Sequence, residues 1–425
     1  MSPMKLLVTI GLWLATAFSY AQEKAVNFQN NLTWAQVKEK AKKENKYIFV
    51  DCYTTWCVPC KVMAKEVLPQ PEIASFLNDK FISVALQFDQ TKQDDSTTKR
   101  WYKDVKQIGE DAKVAAYPTY LIYSPDGQLI HSMVGGSPDA KSFLTKLQNG
   151  LDPKNQLVNL RKRYAEGNRN PDFLHTFGLA LLQSWDGQAP EVLNQYLSTQ
   201  KDLLTKENAE FIMFATKASA DPGFKILVDN GEAFDQLVNN PGLSRMMFGR
   251  IVFDEIVLPM ERINGKKVER GGMITYTGEV NKSIDWNDVY TKLKNAYPSS
   301  ADELLLKAKI QYYRDLSDWT NYTAQAATYN KQYANNHYQI MTYANDVMLF
   351  ANDKACYSEA IQWAKPFATG NDASNNWYID VYARLLYKLG EKEQALAVVN
   401  DGVTRLGDKA YGLKETQEKM QKGEL

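Results

Sequence analysis

The four consecutive apolar residues Tyr47-Ile48-Phe49-Val50 limit the fold of this chain more than any other stretch. A run without polar alternation fits a strand only where both faces of the sheet are covered. Asp51 ends the run, and Cys57-Val58-Pro59-Cys60 follows where a helix must start. The flanking patterns supply the covering layers. Thr33 and Gln36 make a capping-box start for a helix over Thr33 to Asn45. Cys60 to Val67 and Glu72 to Leu77 read as helices, and Phe81 to Phe88 as a second apolar strand completing a βαβ unit. The polar stretch Gln90 to Lys113 holds a helix around Thr98 to Val105 and is long enough to form a rim or lid. Thr119 to Tyr123 and Leu129 to Val134 form a hairpin about the turn Ser124-Pro125-Asp126-Gly127. Ser137-Pro138-Asp139 has the N-cap, first-turn proline and early acid of a last helix reaching about Gly150. The predicted order is α-β-α-β-α-β-β-α, an α/β domain with a central mixed sheet flanked by helices.

At 425 residues the chain is longer than this domain requires. Beyond Asp152-Pro153 the pattern turns helical and rich in tyrosine and alanine, with one interruption at Ile263 to Val280 that reads as a loop or small hairpin. Its Lys266, Lys267 and Arg270 read as solvated loop residues. From Tyr382 to Leu396, and again at Glu359-Ala360-Ile361, the spacing resembles a tetratricopeptide repeat, with Ala383, Gly390, Ala395 and Gly402 at its small-residue positions. Such hairpins bury their faces only against neighbours, so an all-α helical array is expected. The expected division is a leader over 1–21, the α/β domain over 22–150, a helical intermediate region over 151–285 and a tetratricopeptide-like region over 286–425.

The leader is read from Lys5 before the apolar run Leu6 to Phe18, then Ser19 and Ala21 at signal-peptidase spacing. The run is shorter than the ~20 residues of a spanning helix, so export with cleavage after Ala21 is expected, and stable membrane insertion is not. A Gram-negative source would make the periplasm the expected compartment. Lysine plus arginine equals aspartate plus glutamate, 50 against 50, which gives no field to attract nucleic acid or an anionic membrane.

Four cysteines cannot staple a chain of this length, so Cys57 and Cys60 call for a chemical explanation. A dithiol cycles with a disulfide when one thiol ionises easily and the other lies close enough to resolve a mixed disulfide. Two intervening residues at a helix start meet both needs, because the free amides there favour the thiolate. Cys57 is expected at the exposed edge as the attacking nucleophile, with Cys60 more buried and resolving. Half of a zinc site is the other reading of the spacing, and it needs a second pair of soft ligands. His131, His175 and His337 stand apart from one another and read as packing or surface residues, so neither metal nor cofactor is expected. Cys52 and Cys356 read as small buried residues.

With the run Val50 to Lys61, the pair Tyr117-Pro118 and Gly135-Gly136 in view, residues 33 to 147 resemble the thioredoxin superfamily. The likeness is strongest to its exported bacterial members, including the C-terminal domain of the transmembrane thiol reductase DsbD. The resemblance implies a thioredoxin-like fold and catalytic roles for Cys57, Cys60 and Asp51, the last a buried carboxyl relaying a proton to or from Cys60. It implies a cis-proline at Pro118 facing the cysteines and a substrate-binding surface of Trp56, Tyr117 and Pro118. It also implies that Gly135-Gly136 lets backbone pass close to the site. Cytosolic members carry a lysine near the buried acid, and this chain has Ala85 there.

The resulting expectation is an exported thiol-disulfide reductase acting on oxidised or reduced exported proteins, supplied by a membrane thiol-electron carrier. The alternatives are a disulfide oxidase or isomerase using the same cysteines, and a non-enzymatic binding protein whose helical region holds a protein partner.

Overall fold

A computed structural model of the chain describes residues 25–270, 273–334, 337–369 and 375–425. The leader expected over 1–21 and the Gly271-Gly272 pair lie outside the described residues. The chain divides into two compact units, Met1–Gln200 and Lys201–Leu425. That division falls between the pattern changes at 150 and 285.

In the first unit, helix α1 (Trp34–Glu44) starts on the expected capping box, both arms of which are made, and ends on Asn45 with φ 50°. Strand β1 (Tyr47–Tyr53) carries Asp51 inside it instead of ending there. Helix α2 (Val58–Val62) is capped by Cys57 and runs on through a π turn, Met63–Val67. Helix α3 (Pro71–Lys80) leads into β2 (Phe81–Gln87). The polar stretch that follows is mostly one helix, α4 (Ser96–Ala112), and forms no lid: Trp101, Val105 and Ile108 bury one side of it on the sheet. Its polar residues are the outward face of an amphipathic helix. Strands β3 (Thr119–Tyr123) and β4 (Leu129–Val134) join through Gly127 at φ +82°. Helix α5 (Ala140–Leu151) is capped by Asp139, whose side chain accepts the Ser142 N–H, and not by Ser137. Ser137 is buried, and its N–H donates to the Met63 sulfur.

The sheet order is β2-β1-β3-β4, with β1 parallel to β2 and antiparallel to β3. Alternate residues of β1 face opposite layers. Ile48, Val50 and Cys52 point to α1 and α4, while Phe49 joins Met63, Ile73, Tyr120 and Phe143 on the other face. Asp51, two residues from Phe49, is therefore on the α2 side. Each fully buried large apolar side chain here contributes about 1.5–3 kcal/mol. The edge of β2 is covered by the segment before α1. Phe28 bridges Ser83, and the Asn30 side chain pairs with both main-chain groups of Ala85, at 2.6 and 3.0 Å. Helices α6 (Leu157–Ala165), α7 (Pro171–Gln183) and α8 (Ala189–Leu197) continue this unit, with α6 and α7 packed against β4.

The second unit is largely helical. The interruption at 263–280 is a two-tier hairpin: Arg262–Ile263 pairs with Glu279–Val280, and Lys267–Arg270 with Met273–Tyr276. Lys267 is no solvated loop residue, because its Nζ lies 2.6 Å from the Asp254 carboxylate. From Trp286 to Lys422 successive helices pack on their neighbours. Gly390 ends one of them at φ +109°, and a Cβ on Gly402 would come within 3.1 Å of Ile379 and Leu413. Ala383, Ala395 and Cys356 are buried in this core. Among the described residues, no helix is long and apolar enough to cross a membrane.

Candidate active site

The carboxyl ends of β1 and β2 lie side by side, and the loop leaving β1 carries the cysteines to the start of α2. Asp89, just past β2, holds that loop. Its carboxylate accepts the Thr55 N–H at 2.9 Å and the Thr55 hydroxyl. This anchor was not read from the sequence, although its position at the end of a strand parallel to β1 is a usable signal. Cys57 and Cys60 are joined as a disulfide, with Cα atoms 5.3 Å apart. The Cys60 N–H donates to the Cys57 sulfur at 3.1 Å, so an amide of the first turn of α2 points at that sulfur, where it favours a thiolate.

Burial differs from the expectation. In the disulfide form Cys57 is 2% exposed and Cys60 7%, so the attacking sulfur is no more accessible than the resolving one. The exposed residues are its neighbours Trp56 and Val58, both 67%.

Asp51 is buried, flanked by Ala85 on β2 and Tyr120 on β3. No hydrogen bond among the described residues reaches its carboxyl, and burial pushes its pKa up to about 7. The absence of a lysine at position 85 leaves that desolvation unopposed. Asp51 and Cys60 line one cavity of about 470 Å³, walled largely by apolar side chains such as Val26, Phe28 and Leu68. Lys61 also lines it.

The Tyr117–Pro118 peptide is cis. The Pro118 carbonyl is taken by the Gly135 N–H at 2.8 Å, whereas no hydrogen bond among the described residues engages the main-chain groups of Tyr117. The Tyr117 ring meets Trp56 edge-on at 6.0 Å and Phe88 at 5.6 Å, giving an aromatic strip beside the disulfide. Phe88 was not among the residues singled out from the sequence. Gly135 is needed for its φ of +91°, not for close approach: nothing lies near its missing Cβ, and Gly136 has only ordinary contact room against Met63.

His131 is a packing residue, 3% exposed, and burial lowers its pKa to about 4. His175 lies against Tyr196, and His337 against Phe367. Cys52 is buried, which raises its thiol well above the ordinary range. Among the described residues no three His, Cys, Asp or Glu side chains converge to hold a metal ion.

Comparison with known proteins agrees with this arrangement. The thioredoxin-like domain family matches residues 34–151. Thioredoxin-2 of Pyricularia oryzae is 28% identical over 109 residues, covering 26% of this chain and 53% of the relative. The thiol:disulfide interchange protein DsbD of Pseudomonas fluorescens is 29% identical over 109 residues, which is 25% of this chain and 17% of the relative. This chain thus spans about half the length of the first and less than a fifth of the second. Thioredoxin of Coprinus comatus is 30% identical over 107 residues, covering 25% of this chain and 85% of the relative. With that match, and with the paired cysteines, buried acid and cis-proline in place on the expected sheet, the chain belongs to the thioredoxin family.

Proposed function

We propose that this protein is a thiol-disulfide oxidoreductase working as a reductase of exported proteins. The observation that carries the reading is the Cys57–Cys60 disulfide at the start of α2, sharing a cavity with the buried carboxyl of Asp51. In the reduced form the Cys57 thiolate, favoured by the Cys60 N–H and the helix start, attacks a substrate disulfide and releases one substrate sulfur. Asp51 then takes the proton of Cys60, whose sulfur attacks Cys57 and releases the second. Two electrons leave the protein, and Cys57–Cys60 is closed again. A carboxyl with a pKa of about 7 can both accept and return a proton at neutral pH. The free main-chain groups of Tyr117 can pair with an extended substrate segment, and Trp56 and Tyr117 provide the apolar surface beside it.

The reducing direction is supported by similarity to thioredoxins and to DsbD, and it calls for a membrane thiol carrier as electron donor. Residues 1–21, with their charged start, apolar run and small-residue end, support export. The largely helical second unit is proposed to select the protein partner. Dithiothreitol-driven reduction of insulin by the mature protein tests the activity. Turnover should be measurable, and Cys57→Ser should abolish it. Turnover in the variant equal to wild type would refute the assignment.

A further inference from the structure

We propose that the helical unit docks an acidic, extended peptide segment in the cavity beside the strand Met273–Tyr276, with the segment's carboxylates on Arg250 and Arg314 and its main chain on the open edge of that strand. The inference deepens the partner-selecting role proposed for this unit and rests on that reading, not on the redox chemistry.

The cavity, of about 560 Å³, lies between the helices Leu243–Val252 and Ala301–Asp315, the first turns of the helix His337–Phe350, and the hairpin. Lys307, Gln311 and Arg314 recur at helical spacing, so one face of Ala301–Asp315 turns them all towards it. Among the described residues, four cations line it, Arg250, Arg262, Lys307 and Arg314, against the one carboxylate of Asp315. Three of the four come with partners. Asp315 takes the Arg262 guanidinium and accepts from the Gln311 amide at 2.8 Å. Lys307 Nζ lies 2.8 Å from Glu303, but Arg245 shares the same carboxylate at 2.7 Å. Arg314 meets Asp346 through one nitrogen, at 3.3 Å, and its side chain is 45% exposed. Arg250 is exposed, and its side chain has no hydrogen bond or ion pair among the described residues. Positive charge therefore exceeds negative around the cavity, and the guanidinium donors left over belong to Arg250 and Arg314. A guanidinium fork matches the two oxygens of a carboxylate.

The main chain gives a second, independent reason. Met273–Tyr276 pairs only with Lys267–Arg270 in a two-stranded sheet, so no strand covers its other edge. The Thr277 N–H donates to the Lys266 carbonyl at 2.8 Å. By the alternation of an antiparallel ladder, Thr275 then turns its main-chain groups to the partner strand, and Ile274 and Tyr276 turn theirs to the open edge. Both residues line the cavity, and no hydrogen bond among the described residues engages those groups. An extended peptide can add to such an edge, and its alternate side chains then fall on one face, towards the arginines. Met246, Phe253 and Ile274 provide apolar wall for the carbon atoms between the peptide's main chain and its carboxylates.

Isothermal titration calorimetry of the full chain with an acetylated, amidated peptide of about ten residues, alternating glutamate and threonine, tests the assignment. The peptide should bind saturably, and more weakly as salt is raised. Arg250→Gln and Arg314→Gln should each weaken it about tenfold, the scale of one lost charge-assisted hydrogen bond. Lys414→Gln, on the last helix and outside the cavity, should leave it unchanged. A peptide with glutamine in place of glutamate should not bind, and one with alternate amides N-methylated should bind at least about tenfold more weakly. Circular dichroism checks folding. If Arg314→Gln fails to fold because it strands Asp346, Arg250→Gln, which strands nothing, carries the comparison. No saturable binding up to about 1 mM, or equal binding by folded Arg250→Gln, overturns the assignment. So does equal affinity for succinate or for the N-methylated peptide, which would mark a site for small anions. Insulin turnover measured on the same wild-type protein keeps the two readings apart: binding without turnover overturns the oxidoreductase reading alone, and turnover without binding overturns this one alone.

Discussion

The two units treat a buried carboxyl in opposite ways. Glu303 in the helical unit is 8% exposed and is met by Arg245 at 2.7 Å and Lys307 at 2.8 Å. Burial alone would raise its pKa, but the hydrogen bonds and charges of those two cations outweigh burial and hold it below the ordinary carboxylate range. Asp346 has the same kind of company, Arg314 at 3.3 Å and the Tyr322 hydroxyl at 2.9 Å, although burial still raises its pKa. Asp51 in the sheet domain has a neighbouring cavity and, among the described residues, no ion pair, and it rises to about 7. Glu303 is paired, whereas Asp51 stands unpaired beside a dithiol at a cost in stability, and it is the acid we propose for proton transfer. Glu261 gives a second buried acid without a dithiol: it is fully buried beside Asp315 and Arg262, and burial raises it to about 8.

The comparison breaks most visibly at Asp51. Its folded pKa lies above its unfolded one, so its contribution to stability is present below about pH 4 and is lost as pH rises through 7. Asp51→Asn should therefore match wild type near pH 4 and be more stable by up to about 4 kcal/mol at pH 8, by urea unfolding of the oxidised protein. Its turnover in the insulin assay should fall at the same time. Glu261→Gln should shift stability in the same direction but leave insulin turnover unchanged; a slowed turnover would break the distinction between the two acids. Glu303→Gln should act in reverse and destabilise by about 3 kcal/mol at neutral pH, because it strands two cations. A lowered pKa gives stability above the unfolded value that is lost as pH falls, so the deficit should shrink below about pH 4.5. Trp56→Ala should change stability by less than about 0.5 kcal/mol, as its ring is mostly exposed, and should raise KM for a protein disulfide with little effect on kcat.

What could be read from the sequence was local. The capping box of Thr33 and Gln36, the strands at 119–123 and 129–134 and the Gly127 turn depend on residues close in the chain, and each stands where the pattern put it. Pro118 was singled out by the resemblance to thioredoxins, and proline is the residue that makes a cis peptide at modest cost. The remainder depends on contacts between distant residues. Asn30 reaching Ala85 carries no local signal. The polar face of α4 hid a buried stripe whose helix is twice as long as its apolar core suggests. Ser137 looked like a cap, but Asp139 two residues on holds that place, and Cys57 looked exposed because spacing says nothing of the disulfide's orientation.

The central claim is that Cys57 and Cys60 form a reversible redox pair working as a reductant. The equilibrium reduction potential of the mature protein in dithiothreitol buffers, beside a Cys57→Ser, Cys60→Ser control, tests it most directly. The account predicts a two-electron transition near about −250 mV, within the range of the reducing members of the fold, and none in the control. A transition near about −130 mV would contradict the reducing direction, and no reversible transition would contradict the redox function altogether.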